Sequence, residues 1–232
     1  MKTSARLAAV TSALFVVLTG ALPPAAGLAA ERPTCGGEKA TIVGTAGKDA
    51  YAPSKFHPGD VVALLGGNDY AQVGGHVDDV TVCGGQGEDE IVADAGAGRD
   101  LRFFGGGGAD VLGSLFEQGK RAAQHSFRLD GGRGLDYFHG SRAHDRIDGG
   151  PGPDRIDGYL GGDVLHGDGG DDLVEGGPGA DTLFGDHDDD ALYGYYYSTK
   201  TPNAERLDSA FGGPGRDVCV AADRHSCRRD RR

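Results

Sequence analysis

The chain has 232 residues, of which 43 are glycine, one is methionine and none is tryptophan, and its formal net charge is −12. The surplus of carboxylates argues against nucleic acid as a partner, because phosphate binding needs a basic face. So much glycine with so few bulky apolar residues argues against an ordinary hydrophobic core and, taken alone, predicts disorder.

Residues 7–22, LAAVTSALFVVLTGAL, follow Lys2 and Arg6 and precede the small-residue stretch PPAAGLAA. This order predicts a signal peptide over 1–30, cut near Ala30, and therefore a secreted, extracellular protein. The apolar run is too short for a membrane span, and no second one follows it. Without 1–30 the charge is −14, since that segment holds two basic residues and no acid. Four cysteines in an exported chain predict two disulfides, for which three pairings exist. The local pairings, Cys35 with Cys83 and Cys219 with Cys227, are preferred as clasps on the two ends. A cysteine metal site is the weaker reading, because no Cys-x-x-Cys spacing occurs.

Region 31–130 reads as an irregular set of repeats. GTAGKDAYA at 44–52 places Asp49 two residues before Tyr51, and Asp60, Asp69 and Asp78 are each followed two residues later by Val62, Ala71 and Val80. GGQGEDEIV at 84–92 and GGGGADVLG at 105–113 contribute Asp89 and Asp110. The nine-residue spacing slips between Asp78 and Asp89 and again before Asp110, which predicts bulges and weakened or missing ion sites. SLFEQGKRAAQHS at 114–126 interrupts the pattern as an inserted loop, and Leu129 resumes it.

Residues 131–194 keep the beat without a gap. Asp136, Asp145, Asp154, Asp163, Asp172, Asp181 and Asp190 are nine apart, and two residues after each stands Phe138, Ile147, Ile156, Leu165, Val174, Leu183 or Leu192. A glycine lies five residues before each aspartate, so the unit is G-G-x-G-x-D-x-U-x with U apolar. The x-U-x tripeptide predicts a minimal strand with one side chain inward. The six residues before it predict a turn whose glycines take positive φ at little steric cost. Two units then make one coil, and unit n stacks on unit n − 2. Asp136 comes beside Asp154, Asp145 beside Asp163, and so on to Asp172 beside Asp190. Stacked carboxylates oppose folding unless a cation joins them. Calcium suits the spacing, since it takes about six to eight oxygens and tolerates irregular geometry, whereas magnesium demands a tighter octahedron. Alternate pairing over 131–194 allows up to five Ca²⁺.

At these residues the chain resembles the RTX, or haemolysin-type, calcium-binding nonapeptide repeat family. With the export signal, TIVGTAG near the start and DVC…C near the end, the layout is similar to secreted RTX-type calcium-binding proteins of actinobacteria. The resemblance implies an all-β fold, a parallel β-roll (a β-solenoid) with two loop insertions, and Ca²⁺ held between stacked turns. The expected metal ligands are Asp136, Asp154, Asp163, Asp172, Asp181, Asp190, Asp145, Asp110 and Asp89. Asp145 ranks lowest, because GSRAHD puts Ala143 where the unit prefers glycine. In GDHDDD, Asp188 fills that place and tolerates a left-handed backbone better.

The C-terminal part, 195–232, is expected to hold a second inserted loop (195–206), a last repeat (GGPGRDVCV at 212–220) and a disulfide cap. Asp208 and Ala210 resume the pattern after the loop. Loops on a rigid scaffold often carry recognition, so 114–126 and 195–206 are the candidate contacts for a cell-surface or glycan partner. Tyr195, Tyr196 and Tyr197 are expected mainly to pack, with sugar stacking as the alternative. No His-Glu-x-x-His and no Gly-x-Ser-x-Gly occurs. The histidines, His139 and His166 among them, read as solvated, and the RRDRR end reads as a solvated tail. The expectation is a secreted, non-catalytic calcium-binding repeat protein. The rivals are an extracellular polysaccharide-acting enzyme and a cell-envelope adhesion module, each built on the same roll.

Overall fold

The computed structural model describes residues 31–115, 125–194, 208–220, the backbone of 223–225, and Cys227. The expected signal peptide, the loop 195–206 with its three tyrosines, most of the loop 114–126 and the basic tail lie outside the described residues.

Over 131–194 each apolar residue two places after a repeat aspartate becomes the inward residue of a short strand. Tyr137–His139, Arg155–Asp157, Leu173–Glu175, Thr182–Phe184 and Ala191–Tyr193 are all three residues long with a buried centre. Some strands run further, as in Arg146–Pro151, because the first glycines of the following turn continue the parallel pairing. Successive units alternate between two parallel sheets, one of nine strands and one of ten. Every coil therefore contributes one strand to each sheet, and the coils stack at roughly the 4.8 Å spacing of hydrogen-bonded strands.

The register is the one the nonapeptide period implies. Ile147 pairs with Leu129 on one side and Leu165 on the other, 18 residues away in each direction. In the other sheet Phe138 pairs with Leu112 and Ile156. The core is a double file of these residues: Ile147, Ile156, Leu165, Val174, Leu183 and Leu192 are fully buried and Phe138 nearly so. The file continues through Val62, Ala71, Val82, Ile91, Phe103, Leu112, Leu129 and Ala210 into the irregular regions. Val80, expected as an inward strand residue, is buried but lies before the strand Thr81–Gln86, where Val82 pairs with Val62 and Phe103.

Near its start and its end the chain is tied to the roll by a disulfide, the first through a hairpin on the outer face of the ten-stranded sheet. At the start, Thr34–Cys35 pairs antiparallel with Glu38–Lys39. This hairpin is tied to the roll by the Cys35–Cys83 disulfide and by a small cluster of Cys35, Ala40, Val61 and Ala63. At the far end Cys219, an inward position, is bonded to Cys227. Both expected pairings are present. Among the described residues no helix is long and apolar enough to cross a membrane.

Both interruptions leave the roll on the same edge. The first separates Val111–Ser114 of the nine-stranded sheet from Phe127–Arg133 of the ten-stranded sheet, and the second separates Ala191–Tyr193 from Ser209–Phe211 in the same sense. Ser114, expected as the start of the first loop, is still strand and pairs with Ala93. The strands after each break return to register, with Leu129 opposite Phe103 and Ala210 opposite Leu183.

Candidate metal centre

The turns decide where the aspartates go. Their first residue is a glycine that faces its own aspartate and the rung above. A Cβ built on Gly149 would lie 2.6 Å from Asp154 Oδ2 and 2.7 Å from the Gly167 carbonyl oxygen. At Gly158 the same pair is Asp163 Oδ2 at 2.7 Å and the Gly176 carbonyl at 2.6 Å. The missing side chain thus leaves a small cradle between rungs, lined by a carboxylate oxygen and a carbonyl oxygen. Glycine at the fourth place serves closeness: Gly152 sits at φ +143°, and a Cβ there would collide with the Gly134 carbonyl one coil away.

The aspartates form ladders. Each backbone N–H donates to Oδ1 of the aspartate one coil further on: Asp136 to Asp154 at 2.8 Å, Asp154 to Asp172 at 2.7 Å, Asp172 to Asp190 at 3.0 Å. This edge runs unbroken from Asp49 through Asp69, Asp89, Asp110 and Asp136 to Asp217. The opposite edge carries a shorter ladder, Asp145 to Asp163 to Asp181 to Asp208.

One oxygen per aspartate is therefore satisfied, and the other is not. Oδ2 of Asp69, Asp89, Asp110, Asp136, Asp154, Asp163, Asp172, Asp181, Asp190 and Asp217 is buried and receives no hydrogen bond from the protein. The residues themselves are at most 3% exposed. Burial raises Asp110, Asp154, Asp181 and Asp190 to about 7, and Asp163 and Asp172 to about 8, helped by the like charge of neighbouring carboxylates. Asp136, Asp89 and Asp69 are raised for the same first reason. Orphaned carboxylate oxygens facing carbonyl oxygens, with no donor between them, are a site for a hard cation.

Asp145 differs from the other expected ligands. The Ser141 N–H donates to its Oδ2 at 2.5 Å, and Oδ1 accepts the Ser141 hydroxyl at 3.0 Å and the Phe127 N–H at 2.6 Å. Ser141 stands where most units have the second glycine and supplies donors to both oxygens of this carboxylate. Thr45 likewise donates to Asp49, with its N–H at 2.6 Å and its hydroxyl at 3.2 Å from Oδ2. The low rank of Asp145 in the sequence rested on Ala143, whereas the group that occupies its oxygens is Ser141.

The slipped spacing at 78–110 does not break the ladder at Asp89 and Asp110. The extra residues are taken up in the turns of the opposite edge, so Asp69, Asp89, Asp110 and Asp136 still stack. The opposite edge is altered instead: Asp60 accepts from Thr41 and the His57 N–H, and Asp78 from the Arg99 N–H. Asp69 and Asp217 join the orphaned set although neither stood among the expected ligands. Their signal was present in NDYA at 68–71 and GGPGRD at 212–217. His139 and His166 also depart from the solvated reading, since both are half-buried on outer sheet faces.

A two-sided parallel roll with acidic turns stacked along its edges and a single inward residue per strand is the architecture of a parallel β-solenoid. Within it, residues 128–195 match the family model of the RTX calcium-binding nonapeptide repeat (4 copies) in three overlapping stretches, 128–156, 139–174 and 166–195. No curated protein and no solved structure matches the chain.

Proposed function

We propose that this chain is a secreted, non-catalytic protein whose roll is ordered by Ca²⁺ bound between stacked turns. One observation carries the reading: ten buried aspartates each keep Oδ2 without a protein donor. Asp154 and Asp163 show the rest of the cradle, Oδ2 lying beside a carbonyl oxygen of the next coil. The family of the central repeats is the independent support.

Consecutive orphaned pairs count the candidate intervals. Seven lie on the long edge, from Asp69–Asp89 to Asp190–Asp217, and one on the short edge, Asp163–Asp181. Four of the eight fall within 131–194, against the five that alternate pairing allows, because Asp145 is already capped. The Asp145–Asp163 interval is the one removed. Equilibrium dialysis with metal analysis on the mature chain tests this: several ions per chain, approaching eight, are expected. A chain that binds no calcium, or whose far-UV circular dichroism is unchanged by its removal, overturns the proposal.

The inserted loops favour a second role for the same scaffold, contact with a cell-surface or glycan partner. What supports it is that both loops depart from one edge, where their flanking strands are four coils apart or fewer. Deleting 116–124 or 195–206 abolishes envelope or glycan binding on this reading while calcium uptake persists. Unchanged binding in both deletions overturns it. Glycan turnover by the purified chain would favour the enzymatic rival.

A further inference from the structure

Beyond the turn carboxylates, one group of side chains on the outer face of the ten-stranded sheet has metal-ligand chemistry of a different kind. His166, Asp168 and Asp186 each offer a donor atom, and these atoms all lie within 4.8 Å of one another. Among the described residues this is the one group of three His, Cys, Asp or Glu side chains that converges so closely. We propose that it is a binding site for a transition-metal dication of the Zn²⁺ class, distinct from the aspartate-ladder cradles of the same turns.

The repeat does not call for these residues. Asp168 and Asp186 occupy the second place of their turns, where Gly132, Gly150, Gly177 and Gly213 stand in other coils, and both sit at φ +71°. They are one coil apart, on stacked turns of the long edge. Neither belongs to the aspartate ladder, whose members in the same turns are Asp172 and Asp190. His166 is the outward residue of the strand that leads into the first of these turns.

The imidazole is held in place before any ion arrives. Its ring stacks on Phe184 at 4.3 Å with an interplanar angle of 9°, and Phe184 stacks in turn on Phe211 at 5.0 Å. Nδ1 lies 2.9 Å from Asp186 Oδ2. Ligand atoms at about 2.0–2.2 Å from a tetrahedral Zn²⁺ stand roughly 3.3 Å from one another. The His166–Asp186 edge is thus close to the required length, and Asp168, whose Oδ2 accepts the Gly150 N–H at 3.2 Å, has a donor atom within 4.8 Å of both. Three protein ligands leave the fourth position open to water.

The donor set separates this site from the turns. An imidazole nitrogen suits zinc, copper or nickel, whereas the cradles offer only the carboxylate and carbonyl oxygens that calcium takes. Arg146 is bonded to Asp148, at 2.7 Å, and so does not answer Asp168 or Asp186.

The test uses the untagged mature chain in millimolar Ca²⁺, so that the turns are saturated and only a non-calcium site remains to be filled. Titration with Co²⁺ is expected to give visible d–d bands that saturate at one equivalent and are displaced by Zn²⁺. Asp186→Asn and Asp168→Asn, which tolerate the left-handed backbone, and His166→Gln are each expected to weaken Co²⁺ binding at least tenfold. The calcium count and the far-UV spectrum stay unchanged in all three. No Co²⁺ uptake by the parent chain overturns the proposal. So does uptake that survives Asp186→Asn and His166→Gln, or that is lost instead in His187→Ala. Because calcium is counted separately, failure here is distinct from failure of the calcium reading.

Discussion

Removing calcium at two pH values tests the electrostatics most directly. In the ion-free roll the buried carboxyls of Asp110, Asp154, Asp181 and Asp190 sit at about 7, and those of Asp163 and Asp172 at about 8. In the unfolded chain an aspartate titrates near 3.9. A folded value above the unfolded one means that the folded chain holds more protons, so ion-free stability falls as pH rises from about 4 to about 8. A difference of about three units is worth ~4 kcal/mol per carboxyl at pH 8, and only about 1.5 kcal/mol at pH 5. A whole domain is stable by about 5–15 kcal/mol, so a few such groups suffice to unfold the roll at pH 8. On the proposed calcium reading, the ion reverses the sign by binding the ionised form, and acid is expected to expel it. The assay is urea denaturation of metal-stripped chain, followed by far-UV circular dichroism. At pH 8 the ion-free chain is expected to lack a β signal that added Ca²⁺ restores, and at pH 5 it is expected to keep a measurable transition without calcium. Equal urea midpoints at pH 5 and pH 8 in the absence of metal would refute the reasoning.

The two carboxylate classes separate by mutation: Asp163→Asn lowers bound calcium by at least one ion, whereas Asp145→Asn leaves the count unchanged and destabilises only through the lost Ser141 bonds, about 1–3 kcal/mol by thermal unfolding. Leu165→Ala, at the fully buried centre of the file, costs about 2–5 kcal/mol in calcium-saturated urea unfolding with little change in slope. Gly152→Ala forces a Cβ onto the Gly134 carbonyl at a positive φ and prevents coil stacking, while Gly169→Ala, with nothing within 4 Å, is tolerated; expression and spectra of the two variants check the contrast. The Cys35–Cys83 bridge spans 48 residues and Cys219–Cys227 only 8. On chain-entropy grounds the paired serine variants lose about 4 and about 2.5 kcal/mol respectively, and equal losses would contradict the loop-length account.

Much of this molecule is local in origin. The nine-residue beat, the inward residue two places after each aspartate, and the need for glycine in the turn all follow from side-chain alternation and sterics within one unit. Phe138 to Leu192 were legible as core and Asp136 to Asp190 as turn carboxylates for that reason. The stacking of alternate units was legible too, because two identical half-coils must close before the next begins.

What the sequence could not settle is which edge each irregular residue falls on. That depends on counting turns around a closed coil, and extra residues in one turn leave the register of the opposite turn untouched. Hence the slipped spacing around Asp89 and Asp110 reads as damage along the chain, yet those aspartates stay in the ladder while the opposite edge absorbs the change. Only the tertiary structure could also bring His166, Asp168 and Asp186 together. Two of them sit 18 residues apart, and one coil of parallel pairing turns that separation into a neighbour's distance.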